Sequence, residues 1–365
     1  MTWFTGNRIG LLAFAGLALA AMMLLPGYLE TFTLLETTIY VIMSILALSL
    51  GFIWGYGGIL CFGQAAFFGL GAYTYAIAVF NFGESTVSML AAIAVPAVFA
   101  AVLGYFMFFG RISDVYLGVI TLTVSLILFS LVNSTAGDAY RIGVAPLGGF
   151  NGIPSIPTLN VPGKPEELLT PEQIFQVSVA LLALVYFGLR WLLASHFGRV
   201  VVAIRENEKR AELLGYDARK YKLAAFAIGG AIAGLAGALF ANWGAFTSPT
   251  IFGLAQSAQI IIWVIVGGLG TLAGPIVGCF LIQWLASYMG AMDLINTNLV
   301  LGAVLIAFVL LIPKGLVPTL TDIWKKRRPA AHPSVTGSTA PAGRAMPTTA
   351  KSPISPPQAV KGQSG

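Results

Sequence analysis

Charge is what this sequence has least of: Asp, Glu, Lys and Arg make up 9% of 365 residues, against about 25% in a soluble globular chain. A surface so poor in charge does not keep a chain of this length in water. Histidine occurs only as His196 and His332 and cysteine only as Cys61 and Cys279, which excludes a disulfide framework and a zinc site of familiar spacing. There is no G-x-x-x-x-G-K-S/T loop for a nucleotide, no G-x-S-x-G elbow and no H-E-x-x-H pair. No catalytic residue is therefore expected, and no metal or cofactor. The acidic residues lie mainly between the apolar blocks or at their ends, so the buried carboxylate relay of a proton-driven carrier is missing as well. Any energy for work has to come from a partner.

What is present in quantity is apolar length. Hydrophobic residues make up 57% and the mean hydropathy is +0.86, in blocks that reach the roughly 20 residues needed to cross a bilayer as a helix. The expected fold is all-α: a polytopic membrane protein of about eight to ten transmembrane helices. Apolar spans are read at about 9–25, 36–54, 58–80, 86–109, 115–134, 173–193, 223–242, 255–270, 274–290 and 297–313. The first is expected to be an uncleaved anchor, because Met22 to Pro26 offers no small-x-small cleavage site.

A net charge of +6 invites a nucleic-acid reading, but position decides against it. With ten spans and an inward N-terminus, eighteen of the twenty Lys and Arg fall on the cytoplasmic side, leaving Arg141 and Lys164 outside, as positive charge retained during insertion requires. Both termini are then cytoplasmic. An outer loop of about 135–172 carries Pro157, Pro162, Pro165 and Pro171, which forbid a long helix. Residues 1–320 are read as one transmembrane domain and 321–365 as a disordered basic, Pro-rich tail, whose run Lys325 to Arg328 suits an anionic lipid surface.

Glycine, 42 residues, is the second abundant signal. Gly230 and Gly234, like Gly270, Gly274 and Gly278, have the spacing of close helix packing. Seven glycines between Gly51 and Gly71 are too many for an unbroken helix, and broken helices at membrane depth occur only beside protein or a water-filled cavity. A second Gly-rich run, 266–275, suggests an inverted repeat around a midplane path. Polar residues suited to such a path or to interhelical bonds are Gln64, Thr121, Thr123, Ser125, Asn133, Gln256, Gln259 and Gln283.

Between the sixth and seventh spans, about 195–222, charged residues surround Ala203, Ile204, Ala211, Leu213 and Leu214 before Gly215. This reads as a short amphipathic surface helix that starts near Asn207 or Glu208 and is ended by a turn at Gly215-Tyr216-Asp217. Two roles fit the residues equally well, a solvated connector and a docking helix for a cytoplasmic partner.

Three blocks resemble a known family, the LivM-like permease subunits of ABC importers for branched-chain amino acids and related amides. GYGGILCFGQAAFFGLGAY, 55–73, is similar to the family block G-x-x-S-L-G-H/Q-A-A-F-F-G-I/L-G-A-Y, with Cys61 for Ser and Phe62 for Leu. AIRENEKRAELLGYDARKYKLAAFAIGGAIAGLAGALFA, 203–241, resembles its coupling segment and the helix after it. VYLGVITLTVSLILF with LGGFNGIP, and VIVGGLGTLAGPIVG, extend the likeness over about 36–320. The resemblance implies a second homologous permease, two cytoplasmic ATPases and a periplasmic solute-binding protein as partners, in a bacterial cytoplasmic membrane. It implies that 203–215 seats in an ATPase groove, with Arg205, Glu206, Glu208, Arg210 and Gly215 on the matching positions. The expected solute is a branched-chain amino acid; urea and short-amide permeases share most of these blocks and are the alternative. Candidates for the solute path are Gly63, Gln64, Phe67, Phe68, Thr121 and Asn151.

Overall fold

The computed structural model describes residues 8–137, 139–161, 164–292, 302, 303, 306 and 315–327. The span expected at 297–313 and most of the C-terminal tail therefore lie outside the described residues.

Helices follow the apolar blocks: α1 Arg8–Tyr28, α2 Thr31–Gly55, α3 Gln64–Phe82, α4 Ser85–Phe109 and α5 Asp114–Asn133. After the loop come α6 Pro171–Ala194, α7 His196–Glu206, α8 Glu208–Leu213, α9 Ala218–Gly244, α10 Leu254–Gly267, α11 Ala273–Met292 and, last among the described elements, α12 Leu316–Arg327. Seven of these are long and apolar enough to span a bilayer. At 14 residues, α10 is about 21 Å long, short of the roughly 30 Å hydrocarbon core.

The core is built on α2, α3, α4 and α9. From Val41 to Ile53 every residue of α2 is buried, so this helix is enclosed by protein rather than lipid. Helix α9 reaches its neighbours through glycine. A Cβ on Gly237 would stand 1.9 Å from the Phe68 carbonyl oxygen, and one on Gly234 would stand 2.4 Å from that of Ala92. Backbones this close maximise dispersion contact where lipid offers no hydrophobic drive between helices.

The predicted loop is the segment between α5 and α6. Its prolines and glycines give three two-stranded antiparallel pieces: β1 Arg141–Ile142 with β2 Ala145–Pro146, β3 Ile153–Pro154 with β6 Phe246–Thr247, and β4 Asn160–Val161 with β5 Lys164–Leu168. The β3–β6 pair ties the loop to the end of α9. The opposite face of the bundle carries α7 and α8, because Arg205 of α7 donates to the carbonyl of Gly55 at the end of α2.

One sequence reading needs correction. The span read as 58–80 begins as a helix only at Gln64; residues 56–63 form a non-helical segment in which Gly57, Ile59, Cys61 and Gly63 are buried and the residues between them partly so. The run 266–275 does interrupt the helices, as the turn from α10 to α11, where a Cβ on Gly278 would stand 2.1 Å from the Trp263 carbonyl oxygen. The second break is 245–253, between α9 and α10, a stretch with few glycines.

Candidate transport path and coupling surface

The two breaks meet the same helix. Residues 56–63 turn in from the end of α2, on the α7–α8 face. Residues 245–253 turn in from the end of α9, on the hairpin face. They reach α5 at Thr121 and Ser125, four residues apart and thus about 6 Å along one helix face. The first of these contacts consists of the Phe62 and Gly63 amides donating to Thr121 Oγ1 at 3.2 and 3.3 Å. In the second, the Ser125 hydroxyl donates to the Phe252 carbonyl at 2.7 Å. Backbone freed from helix at membrane depth must find partners inside the protein, and these two hydroxyls supply them.

The first break is closed by a polar lock. Gln64 Nε2 donates to Ser49 Oγ at 2.8 Å and to the Gly229 carbonyl at 3.4 Å, while its Oε1 accepts from the Cys61 thiol at 3.5 Å. All the side chains in the lock are buried. Gly63 is sterically obligatory, since a Cβ there would lie 1.9 Å from the Thr121 carbonyl oxygen.

Of the path candidates, Gly63, Gln64 and Thr121 therefore come together. Phe67 and Phe68 are next to them in α3 but serve the core: Phe67 packs edge-on against Phe99 and Phe226, and Phe68 tilts against Phe240. Asn151 is elsewhere, in an exposed turn of the hairpin loop. Ser49, Cys61 and the Gly229 carbonyl were not foreseen as partners; Gln64 had been singled out, but its partners are 15 and 165 residues away in sequence.

The second break is unlike the first in having polar groups without partners. Thr247 Oγ1, Gln256 Nε2, Ser257 Oγ and Tyr73 Oη, all buried atoms, make no hydrogen bond. The Tyr73 ring lies against Phe252, centroids 5.6 Å apart. A wholly different cavity of about 270 Å³ lies among α1, α2, α6 and α11. Its lining, Phe14, Val41, Phe175 and Phe280 among others, is apolar and offers a zwitterion nothing.

On the α7–α8 face the surface helix expected from Asn207 or Glu208 is α8, and a further helix, α7, precedes it, the two divided at Asn207. Its backbone is extended and its Oδ1 accepts from the Arg210 amide at 2.9 Å, capping α8. Val200, Ile204, Ala211 and Ala218 form a small core beneath the pair. Leu213 and Leu214 project away from it, 88% and 73% exposed. The five coupling candidates divide by role. Arg205 turns inward to the Gly55 carbonyl and also pairs with Glu206. Glu208 holds Lys222 at 2.6 Å. Glu206 and Arg210 are exposed, and Gly215 takes the left-handed conformation, φ 89°. Where α9 begins, burial works upward on the Asp217 carboxyl, but the hydrogen bonds and charges of Arg219 and Lys220 outweigh it and hold its pKa below the ordinary value. Arg219 also stands 5.3 Å over the Phe109 ring, fastening the start of α9 to the end of α4.

Residues 31–309 match the family described as "Branched-chain amino acid transport system / permease component". The chain belongs to this family. It is similar to the high-affinity branched-chain amino acid transport system permease protein LivM of Escherichia coli, 29% identical over 318 residues, covering 80% of this chain and 72% of that protein. The LivM protein of Salmonella typhimurium is 28% identical over 305 residues, 77% of this chain and 69% of that one. A shorter likeness, 34% over 102 residues, joins 27% of the chain to 26% of the xylose transport system permease protein XylH of Escherichia coli. No solved structure matches. The chain is thus a multi-pass membrane permease, and its relatives are transport subunits rather than enzymes.

Proposed function

We propose that this permease is the transmembrane subunit of an ATP-driven importer that carries branched-chain amino acids inward across a bacterial cytoplasmic membrane. The observation that carries the proposal is the α7–α8 surface: two large apolar side chains, Leu213 and Leu214, held out at the end of a charged helix. Exposed leucines ringed by Glu208, Arg210 and Glu212 suit an interface with an apolar centre and a polar rim. The occupant is a cytoplasmic ATPase, one of two, with a second homologous permease completing the path and a periplasmic protein delivering solute to the hairpin face. The eight basic residues of 190–222 support a cytoplasmic α7–α8 face, since cytoplasmic loops retain positive charge.

Coupling runs through contacts already described. The Arg205 side chain grips the Gly55 carbonyl and its stem lies against Gly58, where a Cβ would meet Arg205 Cγ at 2.7 Å. Movement of α7 by an ATPase is thereby delivered to residues 56–63, and through Gly63 to Thr121 on α5. The permease supplies a bistable element and ATP binding biases it. Replacing Leu213 and Leu214 together by Asp tests the docking. The permease should still insert, but the ATPase should no longer co-purify with it and leucine uptake should be lost. Normal uptake and co-purification would overturn the proposal.

A further inference from the structure

We infer that the first turn of α10 is a carboxylate site for the transported solute, an inference that rests on the importer reading above. Helix α10 starts inside the bundle, after a break that Ser125 holds, rather than at a membrane surface. Its N-cap, Gly253, has no side chain with which to cap it. The amides of Leu254, Ala255 and Gln256 head the helix, where no preceding turn supplies carbonyls, and the helix dipole favours negative charge at that end.

Two side chains of the same turn point to a ligand independently. Ser257 is 1% exposed, yet its hydroxyl has no partner. Ser44, Ser88 and Ser178, also buried in helices, each donate to the carbonyl four residues back, and Ser257 does not take that bond to Gly253. Gln256 Nε2 is likewise buried and unpartnered. Helical side chains lean toward the N-terminus, so both donors aim at the head of α10. The Tyr73 hydroxyl, whose ring packs on Phe252 just before the helix, is also unpartnered. Three amides and two side-chain donors belong to this turn, and the lock around Gln64 has no such surplus. Leu254, Ala255 and Ala258 leave one side of this turn exposed. An uncapped helix end does not face lipid, so that side opens on the path between the two permeases. The site takes the solute's carboxylate; its ammonium and aliphatic groups are held elsewhere.

The test uses Ala255→Cys in the assembled transporter, with its binding protein, in proteoliposomes. Native Cys61 and Cys279 are buried. Labelling rates are compared for the anionic sulfonatoethyl and the cationic trimethylammonioethyl methanethiosulfonates, each scaled to its rate on a free thiol. The anionic reagent should be favoured about fivefold, and leucine should slow it while leucinamide, which lacks the carboxylate, should not. No anionic preference, or equal protection by leucinamide, overturns the site. Labelling requires no transport, so an assembly that shows the preference but accumulates no leucine would contradict the importer reading and leave the anion site standing.

Discussion

The two breaks differ in a single respect that bears on function. At 56–63 the Phe62 and Gly63 amides and the side chains of the lock are paired, Gln64 alone making three bonds. At 245–257 the same helix α5 provides one bond through Ser125, and three buried polar atoms, Thr247 Oγ1, Gln256 Nε2 and Ser257 Oγ, remain unpaired. An unpaired buried polar group costs about 1–3 kcal/mol, a cost that a merely structural joint has no reason to retain. The first break is a fixed lock beside the α7–α8 face; the second has the unpaired donors that our proposed carboxylate site uses.

Three substitutions test this contrast. The largest effect belongs to Gly63→Val. With no room for even a Cβ against Thr121, the first break cannot close, and folded permease should be lost from detergent extracts as judged by size-exclusion chromatography. Gln64→Leu should be milder. It removes three hydrogen bonds, those with Ser49, Cys61 and the Gly229 carbonyl, at about 2–4 kcal/mol in total, read as a lowered thermal midpoint of the purified protein. Ser257→Ala should have the smallest effect, a gain in stability of about 1 kcal/mol, because no bond is lost and an unpaired buried hydroxyl is removed. A Ser257→Ala variant as unstable as Gln64→Leu would erase the distinction between lock and site.

Much of this architecture was legible because apolar length and glycine spacing are local signals. The spans from α2 to α11 fall within a few residues of their predicted places, except where a break shortens one, and Gly230 with Gly234 does mark close packing. Gln64 and Thr121 were legible as polar residues in apolar surroundings, but not as neighbours, since 57 positions separate them. The second break was missed for a physical reason. Residues 245–253 interrupt the helix with Pro249, Ser248 and Thr250 rather than with a glycine cluster, and 266–275, richer in glycine, drew attention instead. On the coupling surface the amphipathic pattern was visible. The start of a helix at Asn207 or Glu208 was legible too, but α7 before it, and which leucines stay out of the small core, depend on packing that the pattern does not carry. Asn151 was chosen for the path on motif alone, and the hairpins carry it to the surface.

The most direct test of the account is leucine accumulation by proteoliposomes holding the permease pair, the ATPase and the binding protein, with and without ATP. The account predicts inward accumulation that requires ATP and disappears when the ATPase is left out. Uptake of equal rate without the ATPase would contradict it, because nothing in α7, α8 or the lock they grip would then be needed.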